Sequence, residues 1–335
     1  MRKSARTITT LSVLSNHEPE TVSAGARTAV RAETIAAEHA GRRIDNFLQQ
    51  LLKPVPKSLV YKLLRSGQVR VNGGRCKPDY RLNAGDVLRI PPVVATLPGE
   101  IHVPESRLAQ LAAAVLYEDE HFLIVNKPAG MASHGGTGVP YGAVEIARRM
   151  RPEVARLDLA HRLDRDTSGC LILTKQVDVL RQLHTEIRER QINKRYCALL
   201  HGRFPTELKS INATLRTSRE QDAEKRARVK ADGKASETII ENVEPAGRHS
   251  LVRMRLVTGR MHQIRAHAQY IGHSVGGDRL YGDDQFNREM ATRGLRRLFL
   301  HATSIGFEAA GQRIEVTAPL PAELAQLLDE LRARP

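Results

Sequence analysis

The stretch HRLDRDTSG, residues 161–169, concentrates two arginines and two aspartates directly before an apolar run, CLILTK, at residues 170–175. The apolar run predicts a buried strand, so the charged stretch before it is predicted to be a loop at the end of a sheet. Thr167, Ser168 and Gly169 are turn residues, and the two hydroxyls can bond nearby backbone N–H groups and fix the loop. Spacing alone leaves two interpretations open: a solvated loop with local ion pairs, or a loop that holds a catalytic carboxylate.

Strands and helices alternate irregularly on both sides of this loop. Residues 115–128 predict two short strands around an acidic turn, and residues 177–192 predict a helix with apolar side chains on one face. Apolar and arginine side chains alternate over residues 251–257, which is typical of a half-buried strand. This irregular order favours an α+β fold over a doubly wound α/β sheet.

A compact basic block precedes these elements. Within it RRIDNFLQQLL and PKSLVYKLLRSG each predict a helix, and QVRVNGGRCK predicts a hairpin that turns at Asn72-Gly73, a pair suited to positive φ. Residues 42–92 hold 11 Lys or Arg against three Asp, a net charge of +8 out of +15 for the chain. The positive charge is therefore concentrated in one small predicted domain.

The chain divides into four predicted segments. Residues 1–32 lack apolar periodicity and predict a disordered tail, with an organellar transit peptide as the alternative because the first 17 residues contain no acid. The basic domain is assigned to residues 38–92, and prolines punctuate the predicted linker over 93–114, which ends in a helical piece. The second domain is assigned to residues 115–330.

The charge of the chain bears on its partner. At 335 residues and 41% hydrophobic content the chain can bury two cores, and 52 basic against 37 acidic side chains favour a polyanion such as RNA. A soluble basic enzyme without such a partner is the alternative. Lys62 and Arg65 are three residues apart on one helix face, and with Arg70 of the hairpin they are predicted to contact RNA phosphates.

Several classes of protein are not indicated. The three cysteines lack C-x-x-C spacing, so neither a disulfide framework nor a zinc site is predicted, and a reducing cytoplasm fits. His262 and His267 lie about 140° apart around a helix and do not face one ion. The glycine-rich residues 130–138 lack both nucleotide-binding patterns, and no G-x-S-x-G elbow occurs. No apolar run approaches the roughly 20 residues of a membrane-spanning helix.

Three stretches resemble one enzyme family, and a fourth resembles an RNA-binding domain. HRLDRDTSG resembles the H-R-L-D-x-x-T-S-G signature of the pseudouridine synthases that act on large-subunit ribosomal RNA, and NKRYCAL and TGRMHQIRAHAQYIGHSVGGDRLYG are similar to the family's second and third elements. Residues 42–92 are similar to an S4-type RNA-binding domain. The resemblance extends from about residue 38 to the C-terminus. Met261 stands where threonine is commoner, and the first 30 residues match nothing.

The resemblance implies both a fold and a reaction. The implied fold is a mixed, mainly antiparallel sheet in the catalytic domain, preceded by a small S4-like α/β domain. The reaction breaks the glycosidic bond of uridine and rejoins the base through C5, and it requires neither a cofactor nor a metal. Asp164 stands at the position of the family's catalytic carboxylate, and Arg265 is its cationic counterpart, able to hold a carboxylate by two parallel hydrogen bonds.

The resemblance also implies how the base is held. Tyr196 would stack on the extracted uracil, with a further role in proton transfer left open. Arg162 would fill the gap that the flipped base leaves. His161 and Ile264 are assigned to substrate binding with it.

The implied partner is large-subunit ribosomal RNA or an assembly intermediate of the large subunit, bound by a monomer in the cytoplasm. Two alternatives stay open. One is an RNA N-glycosylase, which would use a carboxylate and a flipped base and would release free base. The other is a non-enzymatic assembly factor that binds ribosomal RNA through the S4-like domain.

Overall fold

The computed structural model describes the chain over residues 30–52, 55, 57–93, 102–136, 138–218, 225–309 and 311–333. The chain forms two compact units, Met1–Ile101 and His102–Pro335. Most of the predicted tail lies outside the described residues, although its last two residues begin the first strand. Of the predicted linker, residues 94–101 also lie outside them. The remainder contains a helix whose Leu111 is buried in the core of the second unit.

In the first unit two helices pack against a four-stranded sheet of order β1-β4-β2-β3, and a short 3₁₀ turn, Ala37–His39, follows the first strand. The predicted hairpin is confirmed: Asn72 and Gly73 have φ of +49° and +80° and join two short antiparallel strands. Both predicted helices are confirmed as well. The elements are β1 Arg31–Thr34, α1 Ile44–Leu51, α2 Lys57–Arg65, β2 Arg70–Val71, β3 Gly74–Arg75 and β4 Val87–Ile90.

The second unit is built on one sheet of eleven strands. Its main path is β11-β10-β12-β13-β9-β14-β8-β6-β5, with β15 beside β14 and β7 beside β8. Among the described pairs only β14 and β8 run parallel. The α+β class and the mainly antiparallel sheet are thus confirmed. The strands are β5 Val115–Glu118, β6 Phe122–Lys127, β7 Asp158–Leu159, β8 Ser168–Thr174, β9 Asn193–Leu200, β10 Ser210–Ser218, β11 Arg226–Val229, β12 Lys234–Ala246, β13 His249–Leu256, β14 Leu300–Ala309 and β15 Gln312–Thr317.

Helices cover both faces of this sheet. Strand β8 shows why: Leu171 and Leu173 pack in one apolar cluster, whereas Cys170 and Ile172 pack in another on the opposite face. A strand covered on both faces is apolar throughout, which explains the continuous run CLIL. The helices are α3 Glu105–Ala112, α4 Ala143–Met150, α5 Val177–Glu189, α6 Gln263–Tyr270, α7 Asp284–Thr292 and α8 Ala322–Ala333.

The charged stretch 161–169 forms the connection from β7 into β8, as predicted. Its end is fixed by Gly169, whose φ is +115°. A Cβ atom at this position would lie 2.2 Å from the carbonyl oxygen of Ala302 on β14. Only glycine permits both this backbone conformation and this approach, so the loop is held against the middle of the sheet.

Within the described residues, no helix is long and apolar enough to cross a membrane.

Candidate active site

A cleft of about 450 Å³ in the second unit, called the first cleft below, contains the predicted catalytic residues. Its walls come from the loop after β7, from β9, and from α6 with the turn before it. All six residues predicted for this domain line it: His161, Arg162, Asp164, Tyr196, Ile264 and Arg265. They come from three separate stretches of sequence, and the fold brings them together.

The carboxylate of Asp164 lies at one wall of the first cleft, where it is 21% exposed. One carboxylate oxygen, Oδ2, is 3.8 Å from Nε2 of His262 and 4.0 Å from Nη1 of Arg265. Asp164 is therefore partly withdrawn from water, near an arginine cation, and still open to a ligand in the cleft.

The prediction that Arg265 holds Asp164 by two parallel hydrogen bonds is wrong. The guanidinium instead places Nε 2.7 Å and Nη2 2.8 Å from the two carboxylate oxygens of Asp278. Asp278 is buried and also accepts hydrogen bonds from two backbone N–H groups, so it is the better partner for the planar fork. Only Nη1 remains directed at Asp164. One buried aspartate thus fixes the arginine, and the more open aspartate keeps its oxygens accessible.

Tyr281 braces the same arginine and histidine. Its ring lies 4.9 Å from the guanidinium carbon of Arg265, a cation–π distance. Its hydroxyl accepts a hydrogen bond from the Ala227 N–H at 2.7 Å and lies 3.0 Å from Nδ1 of His262. When the hydroxyl donates to Nδ1, the proton of the neutral imidazole sits on Nε2, facing Asp164.

His262 has a strained backbone, with φ of +51° at the residue before α6. Positive φ is costly for a side chain with a Cβ, and such residues are concentrated at functional sites. This backbone conformation places the imidazole beside Asp164, with Nε2 3.8 Å from Oδ2.

Tyr196 forms part of the apolar lining of the first cleft. It stands on β9, where it is paired with Met254 and buried to 7% exposure. Burial, with a smaller contribution from the carboxylate of Asp164, raises the pKa of Tyr196 well above its ordinary value. The phenol is therefore neutral at pH 7. Ile264 and Leu300, both nearly buried, line the cleft with it.

Arg162 and His161 are adjacent in sequence and differ in their surroundings. Arg162 is exposed, and no hydrogen bond or ion pair joins its side chain to another residue of the described ranges. His161 accepts a hydrogen bond at Nε2 from the backbone N–H of Ile172. Burial lowers the pKa of His161 to about 3, so this ring is neutral and ties the loop to β8.

Four residues that the sequence interpretation left without a role belong to this site: Lys194, His262, Asp278 and Tyr281. Lys194 lines the first cleft, and burial lowers its pKa. His262, Asp278 and Tyr281 all occur in the quoted stretch 258–282. Asp278 follows Arg265 by 13 residues in that stretch, and no local pattern indicates that the two side chains pair.

Across the described parts of both units, no group of three or more His, Cys, Asp or Glu side chains could hold a metal ion. The histidines considered above have other partners. Both ring nitrogens of His267 lie within hydrogen-bond distance of hydroxyls, those of Ser236 and Thr238.

The first unit carries the other predicted binding residues. Lys62 and Arg65 are exposed on α2. Arg70 is paired in register with Arg75 on one neighbouring strand and with Arg89 on the other. Directly paired residues project from the same face of a sheet, and like charges in this arrangement repel. The arrangement is typical of a surface that binds an anion.

The chain matches the family model described as RNA pseudouridylate synthase over residues 121–270 and that of the S4 domain over residues 42–88. Ribosomal large subunit pseudouridine synthase C of Pasteurella multocida (strain Pm70) is 45% identical over 310 residues, 91% of this chain and 94% of that protein. The protein of the same name from Escherichia coli (strain K12) is 46% identical over 309 residues, 90% of this chain and 97% of its own.

A solved structure of human RNA pseudouridylate synthase domain containing 1 superposes with a TM-score of 0.51 at 26% identity, over 70% of this chain and 99% of that one. The fold and these matches define an enzyme that isomerises uridine in RNA. The chain belongs to the RNA pseudouridylate synthase family, as its signature loop predicted. Its similarity to the ribosomal large subunit pseudouridine synthases C covers nine-tenths of the chain.

Proposed function

We propose that this enzyme converts specific uridines of large-subunit ribosomal RNA to pseudouridine by a cofactor-free mechanism with base flipping. The observation that carries the proposal is the position of Asp164, whose carboxylate opens on the first cleft with Arg265 and His262 within 4.0 Å. The names of the two bacterial relatives support ribosomal RNA as the substrate.

In the proposed reaction Asp164 acts as an ionised carboxylate on the sugar or base of the bound uridine. The N1–C1′ bond breaks, the uracil turns, and C5 bonds to C1′. The proton on C5 leaves to solvent and N1 gains one, so the product is an isomer and no electrons are exchanged. The guanidinium of Arg265 places a positive charge 4.0 Å from the Asp164 carboxylate. Because its fork is fixed on Asp278, that charge stays in place through the reaction.

Tyr196 is proposed to stack on the turned uracil. Its phenol is neutral and can donate a hydrogen bond, whereas loss of its proton is disfavoured because burial raises its pKa. The apolar lining that it shares with Ile264 and Leu300 suits a flat, uncharged base.

Arg162 is proposed to occupy the gap in the RNA stack. A flipped base leaves an unstacked step, and a planar guanidinium can fill it and bond the orphaned partner. Support comes from the exposure of Arg162 and from its lack of intramolecular bonds in the described ranges. His161 and Ile264 are proposed to shape the cleft around the base.

The first unit is proposed to bind ribosomal RNA or an assembly intermediate through its backbone phosphates. Lys62, Arg65 and Arg70 are the proposed contacts. Lys62 and Arg65 are supported by their exposure, and the half-buried Arg70 is supported by the arginines in register with it on the sheet. We further propose a monomer that works in the cytoplasm, where its cysteines, all three free, would stay reduced.

The test is large-subunit ribosomal RNA carrying tritium at C5 of uridine, incubated with the enzyme, with Asp164→Asn and with Asp178→Asn. Asp178 is an exposed aspartate on α5 that does not line the first cleft, so it is the matched control. The wild type and the control should release tritium to water without free uracil, whereas Asp164→Asn should bind RNA and release none. Equal release by Asp164→Asn would remove its assigned role. Free uracil would indicate an N-glycosylase, and binding without release by the wild type would indicate an assembly factor.

A further inference from the structure

A second cleft, of about 860 Å³, lies on the other side of the signature loop in the second unit. Residues 161–164 and Thr167 of the loop line the first cleft, whereas Arg165, Asp166 and Ser168 line the second. Arg265 lines both. The loop that carries Asp164 is therefore the wall between two clefts, and the mechanism proposed above uses only one of them.

The second cleft is rich in arginine. Besides Arg265 it is lined by Arg165, Arg279, Arg296 and Arg297. Its carboxylates already have cationic partners: Asp278 is held by Arg265, Asp166 lies 3.7 Å from Arg165, and Glu323 lies 3.2 Å from Arg297. What remains without a compensating negative charge is Arg279 and Arg296.

These two arginines are exposed. No hydrogen bond or ion pair joins either side chain to any residue in the part of the chain that the structure describes. An unpaired guanidinium keeps all five donors available, and its planar fork matches the oxygens of a phosphate. Two such groups in one cleft indicate an anionic ligand.

The wall behind them is rigid. Arg297 donates from Nη2 to the hydroxyl of Ser168 at 2.6 Å, and this hydroxyl lies 2.9 Å from Nδ1 of His301. Since a guanidinium only donates, the Ser168 hydroxyl accepts from it and donates to the histidine. His301 Nε2 in turn lies 3.2 Å from the carbonyl oxygen of Ala318. The chain of bonds fixes Ser168 at the end of the signature loop, so the second cleft and the catalytic loop are held in one arrangement.

We propose that the second cleft binds the phosphodiester backbone of the RNA strand next to the target uridine, with Arg279 and Arg296 as its phosphate contacts. The inference rests on the proposed function, because a strand that delivers a nucleotide to Asp164 continues past the loop on which this residue stands. Gln110 and Asn126 supply uncharged amides in the same cleft, which suit ribose hydroxyls. The cleft thus sets the path of the strand, and the first cleft receives the base.

The test compares the double variant Arg279→Gln/Arg296→Gln with Arg288→Gln/Arg313→Gln. The second pair is also exposed, removes the same charge and lines neither cleft. The dissociation constant for a large-subunit ribosomal RNA transcript is measured from low to high salt. The cleft variant should bind about tenfold more weakly at 0.1 M salt, and the slope of log K against log[salt] should fall by about 2, one for each lost contact. The control pair should keep the wild-type slope.

Two outcomes overturn the inference: a wild-type slope in the cleft variant, or an equal loss of slope in both double variants, which would reflect overall charge. Unfolding temperatures of both variants are compared with that of the wild type, and a slope is interpreted from folded protein at equal active concentration. Tritium release by the wild type is followed in parallel. If the wild type releases tritium and the cleft variant keeps the wild-type slope, this inference is wrong and the proposed function stands. A selective loss of slope without any release removes the proposed function and leaves the cleft as an RNA-binding surface.

Discussion

In the first unit Lys62 and Arg65 lie exposed on α2, whereas in the second unit Arg265 is 8% exposed and its fork is closed on a buried aspartate. The exposed pair exchanges water for phosphate at little cost, and salt screens it. The buried arginine has lost its water, so it depends on Asp278 for its stability. Exposed cations of this kind provide affinity for RNA, and a buried, paired arginine fixes the arrangement of the active site. Removing an exposed cation should change the salt dependence of RNA binding, whereas breaking the buried pair should lower the free energy of unfolding.

The largest effect is expected when the buried pair is broken. Asp278→Asn leaves the guanidinium of Arg265 buried beside a neutral amide, and the free energy of unfolding should fall by about 3–5 kcal/mol. Urea denaturation followed by circular dichroism measures it. The control is Asp232→Asn, which breaks the exposed pair with Arg216 and should change stability little. Equal losses in the two variants would contradict the contrast between buried and exposed pairs.

Acid should destabilise the second unit through its buried histidines. Burial lowers the pKa of His267 and His301 to about 4 and that of His161 to about 3, from an ordinary 6.5. The folded rings stay neutral while the unfolded chain takes up protons below pH 6.5. The stabilisation is therefore complete above pH 6.5 and is lost as the pH falls toward 4, by about 2 kcal/mol per histidine at pH 5.

This prediction is measured by urea denaturation at pH 7.5 and pH 5.0. His267→Gln should reduce the difference in the free energy of unfolding between the two pH values by about 2 kcal/mol, whatever it does to the stability at each pH. In the described part of the first unit the one histidine, His39, is partly exposed. An unchanged pH dependence in the variant would show that the buried rings do not cause it.

A smaller loss of stability is expected when the hydroxyl of Tyr281 beside the active site is removed. Tyr281→Phe removes the hydroxyl that accepts from the buried Ala227 N–H, which should lower the free energy of unfolding by about 1–3 kcal/mol. Turnover should fall as well, because His262 loses a contact that orients it beside Asp164. Tyr270→Phe, on an exposed tyrosine, is the matched control and should leave both quantities unchanged. Wild-type stability in Tyr281→Phe would remove the assigned bracing role.

The smallest effect on stability is expected in the first unit. Lys62→Gln/Arg65→Gln should leave the unfolding temperature unchanged, because neither side chain is buried. RNA binding should weaken, and the slope of log K against log[salt] should fall by about 2. Filter binding of a ribosomal RNA transcript over a salt series measures this. A stability loss without a change in slope would place these residues with the core instead of the RNA.

The sequence by itself determined the elements that local rules control. Helical periodicity placed α1, α2 and α5, and the continuous apolar run placed β8. The Asn72-Gly73 pair determined the hairpin because its positive φ is a local property. The signature loop identified the family, and with it the residues that line the first cleft.

Only the tertiary structure decided which acid Arg265 binds. The family resemblance assigned Asp164 as the partner of Arg265, and the sequence interpretation gave Asp278 no role. The choice follows from burial: Asp278 is enclosed, accepts two backbone N–H groups and meets the fork with both oxygens, whereas Asp164 stays open to the cleft. The second cleft was likewise decided by the tertiary structure. Arg165, Arg279 and Arg296 come from separate loops, and they line one cleft only because the fold brings these loops together. Long-range packing sets these distances, and no local pattern encodes them.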